Sequence, residues 1–133
     1  MDNNIKRSKE TIAIPLGIKS LNKLLRAHWS YKGKIKKDYQ LLVVNQMRLN
    51  RLRKTDVGEK WIVNITSVRK RKLDYDNLVG GCKPLVDALC EESFIWDDDN
   101  KHLIISYNQI TNSGSEHTVI TREKAANESK TKK

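Results

Sequence analysis

From Lys60 to Arg69 the side chains alternate, with Trp61, Val63 and Ile65 on one side and Ile62, Asn64, Thr66 and Val68 on the other. A period of two marks a β-strand, because successive side chains leave opposite faces. A strand needs partners, and the rest of the chain bounds what they can be. Thr11 to Leu16 is short and β-prone, with Pro15 marking a strand end or an edge. From Lys34 to Leu52, apolar Ile35, Tyr39, Leu42, Val43 and Met47 recur every three or four residues, which predicts one helical face with a basic face opposite. Leu78 to Glu92 reads as a second helix. Gly80, Gly81 and Pro84 interrupt its start, so its regular part begins near Cys82 or Lys83, with Leu85, Ala88 and Leu89 as its apolar face.

His102 to Thr111 and Glu116 to Glu123 are β-rich and flank Asn112, Ser113, Gly114 and Ser115, which predicts a hairpin. The order strand, helix, strand, helix, strand, strand specifies a single small mixed α/β (α+β) domain, a sheet of about four strands packed by two main helices. It spans 11–123, between polar tails at 1–10 and 124–133. With 38% apolar residues among 133, one modest core is expected. No window approaches a membrane span and the first residues are polar and charged, so a cytoplasmic protein is expected. Cys82 and Cys90 have neither the spacing nor the histidine partners of a zinc site, and read as reduced, buried small apolar residues.

The net charge is +10, unevenly spread. Between Lys19 and Lys37 there are seven basic residues and no acid, and Arg69, Lys70, Arg71 and Lys72 form an unbroken run. Such a surface attracts a polyphosphate, since each neutralised phosphate releases counterions. From Asp87 to Asp99 the sign inverts to six acids without Lys or Arg. Acids there oppose phosphate binding, and a divalent cation is the economical reason for them, because hard cations take carboxylate oxygens. The plainer alternative is a solvated helix end and turn.

Asp74 and Asp76 stand two apart after the predicted strand. If strand geometry persists, both carboxylates leave one face, about 6 to 7 Å apart along the backbone. The loop bearing Asp97, Asp98 and Asp99 follows a helix that can fold back along the sheet. Oxygen-rich sites of this kind suit Mg²⁺ and metal-assisted phosphodiester hydrolysis. An EF-hand is excluded, since the glycine at position six and the glutamate at position twelve are missing.

The order of a basic strand end, Asp74-Tyr75-Asp76-Asn77, Lys83 with Asp87-Ala88-Leu89, the apolar run Phe94-Ile95-Trp96 and paired aspartates resembles the RusA-like family of Holliday junction resolvases. The similarity is close over Leu73 to His102 and weaker upstream, at Ile14, Pro15, Leu21 and Asn22. The resemblance implies a Mg²⁺-dependent endonuclease, with Mn²⁺ as substitute, that nicks branched DNA in pairs as a homodimer and leaves 5′-phosphate ends. It implies Asp74, Asp76, Lys83 and Asp98 as catalytic residues, Asp74, Asp76, Asp97 and Asp98 as metal ligands, and Asn77 as the residue that fixes their turn. Such proteins are frequent in bacteria and prophages. Lys83 follows Asn77 by three residues more than in the founding pattern, an excess that Gly80 and Gly81 can absorb.

Lys32, Lys34, Lys36, Lys37 and Arg69, Lys70, Arg71 and Lys72 are the expected DNA contacts. Trp29, Tyr31 and Tyr75 are read as packing residues in preference to base-stacking ones, and Trp96 as the anchor of the acidic loop. Lys83 and Asp87, at i and i+4, also read as a plain surface pair. The competing function is a non-catalytic DNA-binding protein of a mobile element, in which the acids are structural.

Overall fold

The structure, a computed structural model, describes residues 9–125. Its elements run β1 (Glu10–Ile14), α1 (Leu21–Arg26), α2 (Trp29–Leu49), β2 (Trp61–Arg69), α3 (Tyr75–Gly81), α4 (Lys83–Glu91), β3 (Leu103–Thr111) and β4 (His117–Lys124). The strands form one mixed sheet in the order β1-β4-β2-β3, with β2 parallel to β3 and antiparallel to β4. This is the expected single domain, a four-stranded mixed sheet packed by two main helical units, α2 and α3 with α4. The polar tails are shorter than expected within the described range, because Glu10 opens β1 and Lys124 closes β4. The rest of both tails lies outside the described residues.

The alternation in β2 sets the core. Trp61, Val63 and Ile65 are buried, and across the ladder Ile65 faces Ile120 while Ser67 faces Thr118. With Ile12 and Ile14 of β1 they meet Ile35, Tyr39, Val43 and Met47 of α2 and Leu85, Ala88 and Leu89 of α4 in one apolar cluster. No helical residue is needed to explain the opposite face, where Ile62, Val68, Ile104, Ile110 and Val119 stand outside that cluster. There Ser106 Oγ donates to Asn64 Oδ1 (2.8 Å) and Asn64 Nδ2 to Thr66 Oγ1 (2.9 Å), joining β2 to β3 by a polar stripe.

The expected hairpin of the last two strands does not form. β3 and β4 lie on opposite sides of β2, and the 112–116 loop crosses the end of β2, where Asn112 N–H donates to Arg69 O (3.0 Å) and Lys70 N–H to the Glu116 carboxylate (3.0 Å). Pairing follows the buried row: β4 presents Thr118, Ile120 and Arg122 inward, a set that matches both β1 and β2.

Helix ends deliver the site loops. α2 starts five residues earlier than its periodicity predicts and stops at Leu49, where Arg51 takes φ 55° and Leu52 N–H returns to Met47 O (2.9 Å). α4 ends the same way, with Ser93 at φ 63° and Phe94 N–H on Leu89 O (2.9 Å). Both are left-handed helix caps that close with an apolar contact, here without glycine. The single helix expected over Leu78 to Glu92 is two, hinged at Cys82.

Candidate functional site

The α4 cap aims the acidic loop. Phe94 and Ile95 are fully buried just past it and act as the anchors, whereas Trp96 is 41% exposed and does not. Asp97, Asp98, Asp99 and Asn100 follow, all exposed. Asp98 reaches back to Lys83, the first residue of α4, with Nζ to Oδ2 3.3 Å, and Lys83 also meets Asp87 at 2.9 Å. Its hydrogen bonds to Asp87 and then Asp98 outweigh slight burial and hold the ammonium pKa above the usual lysine value. Lys83 is therefore a positioned cation at neutral pH, not only half of an i, i+4 pair.

Lys83 and Asp98 line a depression of about 380 Å³ with Leu21, Val79, Gly80, Val86, Leu103, Ile105 and Tyr107. The ring of Tyr107, which lines the depression, packs edge-on against Tyr75, centroids 6.4 Å apart, and Tyr75 lies between Asp74 and Asp76 in the chain. Leu73 is pinned beside it, its N–H donating to Gln109 Oε1 (3.0 Å) and its carbonyl accepting from Gln109 Nε2 (2.8 Å).

Asp74 keeps an extended backbone (φ −59°, ψ 149°) as the N-cap of α3, without a side-chain capping bond, but Asp76 lies in the helix's first turn. The chain turns helical between them, so the same-face argument from strand geometry does not hold. Both carboxylates are exposed and make no hydrogen bond or ion pair among the described residues, although Lys70, Arg71 and Lys72 precede them closely. Asn77 does more than fix a local turn: its Oδ1 accepts from Asn22 N–H (2.9 Å), tying α3 to the first turn of α1.

Gly80 and Gly81 serve close approach, not an irregular lead-in. A Cβ on Gly81 would stand 1.9 Å from Lys19 O, and one on Gly80 2.8 Å from the Leu21 side chain. The chain from Asn77 to Gly81 is helical, and α4 begins at Lys83, where the sequence places the start of the regular helix. α1, which carries Leu21 and Asn22 to the rim, was not expected from the sequence. It is six residues long with only Leu24 buried, too short for periodicity to reveal.

Asp99 has a different job from Asp98. Its Oδ1 accepts from the N–H groups of Lys101 (3.1 Å) and His102 (3.0 Å) and lies 2.7 Å from His102 Nδ1. Slight desolvation is outweighed by these bonds, so its carboxyl titrates below the ordinary range. Single ligand atoms of Asp97, Asp99 and His102 lie within 4.8 Å of one another, a loop cluster that Asp74, Asp76 and Asp98 do not join.

The basic candidates divide by what they touch. Lys70, Arg71 and Lys72 are exposed, but Arg69 is buried, with Nε on Arg71 O (2.6 Å) and an NH on Ile18 O (2.8 Å), so it holds the sheet end and offers no surface charge. Its place in the inward row after Ser67 is the sequence signal for this. On α2, Lys32 and Lys37 are exposed without ion pairs among the described residues, Lys34 pairs with Asp38 (3.0 Å), and Lys36 crosses to Glu91. Tyr31 packs on the core and Tyr75, though 61% exposed, packs at the surface against Tyr107, both as expected, while Trp29 is 77% exposed with the tilted His28 ring beside it. Cys82 and Cys90 are free thiols, raised by burial to about 12 and about 11. No described helix is long and apolar enough to cross a membrane. No protein-family model matches the chain, and no curated protein matches it.

Proposed function

We propose that this chain is a Mg²⁺-dependent, structure-selective DNA endonuclease that resolves four-way junctions by paired nicks. The observation that carries this reading is Lys83 held against Asp98 in a depression lined by Tyr107, whose ring contacts Tyr75 between Asp74 and Asp76, two carboxylates without a cationic partner among the described residues. A chain of net charge +10 in which Asp74 and Asp76 have no cationic partner among the described residues has carboxylates to spare for something other than fold stability.

The donors suit Mg²⁺ in kind: Asp74, Asp76, Asp97 and Asp98 offer oxygen only and are exposed, so an ion could keep several waters. Asp74, Asp76 and Asp98, which form no ready-made group of ligand atoms here, would have to converge on the ion as it binds, with Asp97 turning from its cluster with Asp99 and His102 to assist; a bound Mg²⁺ would supply phosphate polarisation and an activated water. Lys83 places positive charge beside a phosphate in the depression and orients Asp98. Lys70, Arg71 and Lys72, with Lys32 and Lys37, grip the flanking phosphates. A homodimer would set two such sites on the symmetric strands of a junction, and the sheet face opposite the helices, with Ile104 and Ile110 half exposed, is a surface suited to that contact.

The same Lys83–Asp98 contact favours a second reading, in which it merely fastens the loop of a non-catalytic DNA-binding protein of a mobile element. Incubating the protein with a synthetic four-way junction and Mg²⁺ separates them. Symmetric nicks with 5′-phosphate ends, and an uncut linear duplex, support the enzyme.

A further inference from the structure

Away from the acidic depression, we infer that the elbow between α1 and α2 is a stacking platform for an unpaired base of single-stranded DNA. Trp29, the first residue of α2, leaves its indole 77% exposed. An indole in water forgoes the burial that aromatic residues normally supply, so its position calls for a ligand with an aromatic face. Beside it, the His28 ring packs at 5.3 Å between centroids with its plane tilted by 35°. His28 is itself held: Nδ1 accepts from Ser30 N–H (3.1 Å) and lies 2.8 Å from Ser30 Oγ. The His28 ring is thus held in place, and the Trp29 indole stands against it.

The charge around this surface selects the occupant. A groove of about 500 Å³ here is lined by Lys23, Arg26, Ala27, His28 and Tyr31. Neither Lys23 nor Arg26 makes an ion pair among the described residues, and no acid occurs between Lys19 and Lys37. An apolar partner would bury those cations unpaired, and an acidic peptide would leave the rings without a flat face to cover. A polyphosphate with accessible π-faces satisfies both, and in a duplex those faces are hidden in the stack.

The location extends the proposed function and rests on it for biological meaning. α1 spans about 9 Å, roughly three base steps, between Leu21 at the depression and the elbow. Through Asn22 and Asn77 it is tied to the helix bearing Asp76. A base unstacked near a branch point would be held there while its strand passes the acidic depression.

The test uses the full chain without divalent metal, so that binding is read apart from cutting. Dye-labelled oligothymidylate of about ten nucleotides is titrated, with affinity read from its anisotropy and tryptophan emission recorded alongside, against the same length of abasic strand and a blunt duplex. Expected are quenching by oligothymidylate, at least ten-fold weaker binding of the abasic strand, and a loss of about ten-fold or more in Trp29→Ala that Trp29→Phe largely restores. Trp96→Phe should keep the quenching. Equal binding of abasic and base-bearing strands, or unchanged affinity in Trp29→Ala, overturns the inference. A protein that never cuts a junction can still pass this test, and one that cuts can still fail it.

Discussion

Lys83 and Asp98 meet across fifteen positions of sequence, Nζ to Oδ2 3.3 Å, at the point where the start of α4 faces the loop beyond its end. Both side chains are well exposed, so their attraction adds under about 1 kcal/mol to stability. Replacing Lys83 by Met should therefore leave urea unfolding within about 1 kcal/mol of wild type while lowering junction cleavage by about 100-fold or more. Cleavage at the wild-type rate would remove Lys83 from the chemistry.

Arg122 is the buried counterpart to this exposed cation. Its guanidinium donates to Glu10 (2.8 Å), Phe94 O (2.6 Å) and Arg53 O (2.6 Å), and lies 4.4 Å from the Trp61 ring centre. It gathers β1, β4 and the root of the acidic loop. Arg122→Met should destabilise by about 3 to 5 kcal/mol, since two carbonyls and a carboxylate lose their donor. Urea denaturation decides this, and a change under 1 kcal/mol would show that the network is dispensable.

Two glycines should respond oppositely to alanine. Gly81→Ala drives a Cβ into Lys19 O, and backbone on both sides must part. We expect a loss of about 3 kcal/mol or more, with weaker docking of α1 on α3. Gly33, in the exposed stretch of α2, has nothing within 4 Å, and alanine there should stabilise by about 0.5 to 1 kcal/mol. Thermal melts that rank the two variants the other way would contradict the packing described.

Stability should fall in acid through Glu59. Hydrogen bonds from Arg53, at 2.7 and 3.0 Å, lead the causes that lower its carboxyl from 4.5 to about 2, and Asp56 N–H adds another at 2.8 Å. A carboxyl depressed by folding stabilises fully above its unfolded pKa and loses that contribution as pH falls toward the folded one. The free energy of unfolding should therefore drop between about pH 5 and pH 2, by roughly 3 kcal/mol from this group at most. Asp99 and Glu116, also lowered, slope the same way, so Glu59→Gln should flatten the profile without levelling it. An unaltered profile in that variant would assign the acid sensitivity elsewhere.

What was legible in the sequence is what local period controls. Trp61 to Arg69 shows its strand, and Ile35, Tyr39, Val43 and Met47 their helix, because each pattern is set by one buried face. Pairing is not local. A short Gly-containing loop between two β-rich runs reads as a hairpin, yet β4 enters between β1 and β2, where its inward Ile120 and Arg122 match Ile65 and Val63. The caps at Arg51 and Ser93 carry no glycine to announce them. Of the candidate site, the residues were readable as types in order. That Asp98 and not Asp99 meets Lys83 depends on the turn beyond Ile95, where Asp99 is occupied by the Lys101 and His102 N–H groups.

If Asp74 and Asp76 are kept for a metal and not for the fold, Asp76→Asn is the decisive variant. Wild type and variant are compared for binding and for Mg²⁺-dependent cutting of one synthetic four-way junction. Expected are paired nicks by wild type, none by the variant, and equal or tighter junction binding by the variant, because negative charge beside the phosphate path is gone. A wild-type protein that binds the junction but leaves it uncut with every divalent metal tried, or an Asp76→Asn variant that cuts like wild type, would rule the endonuclease reading out.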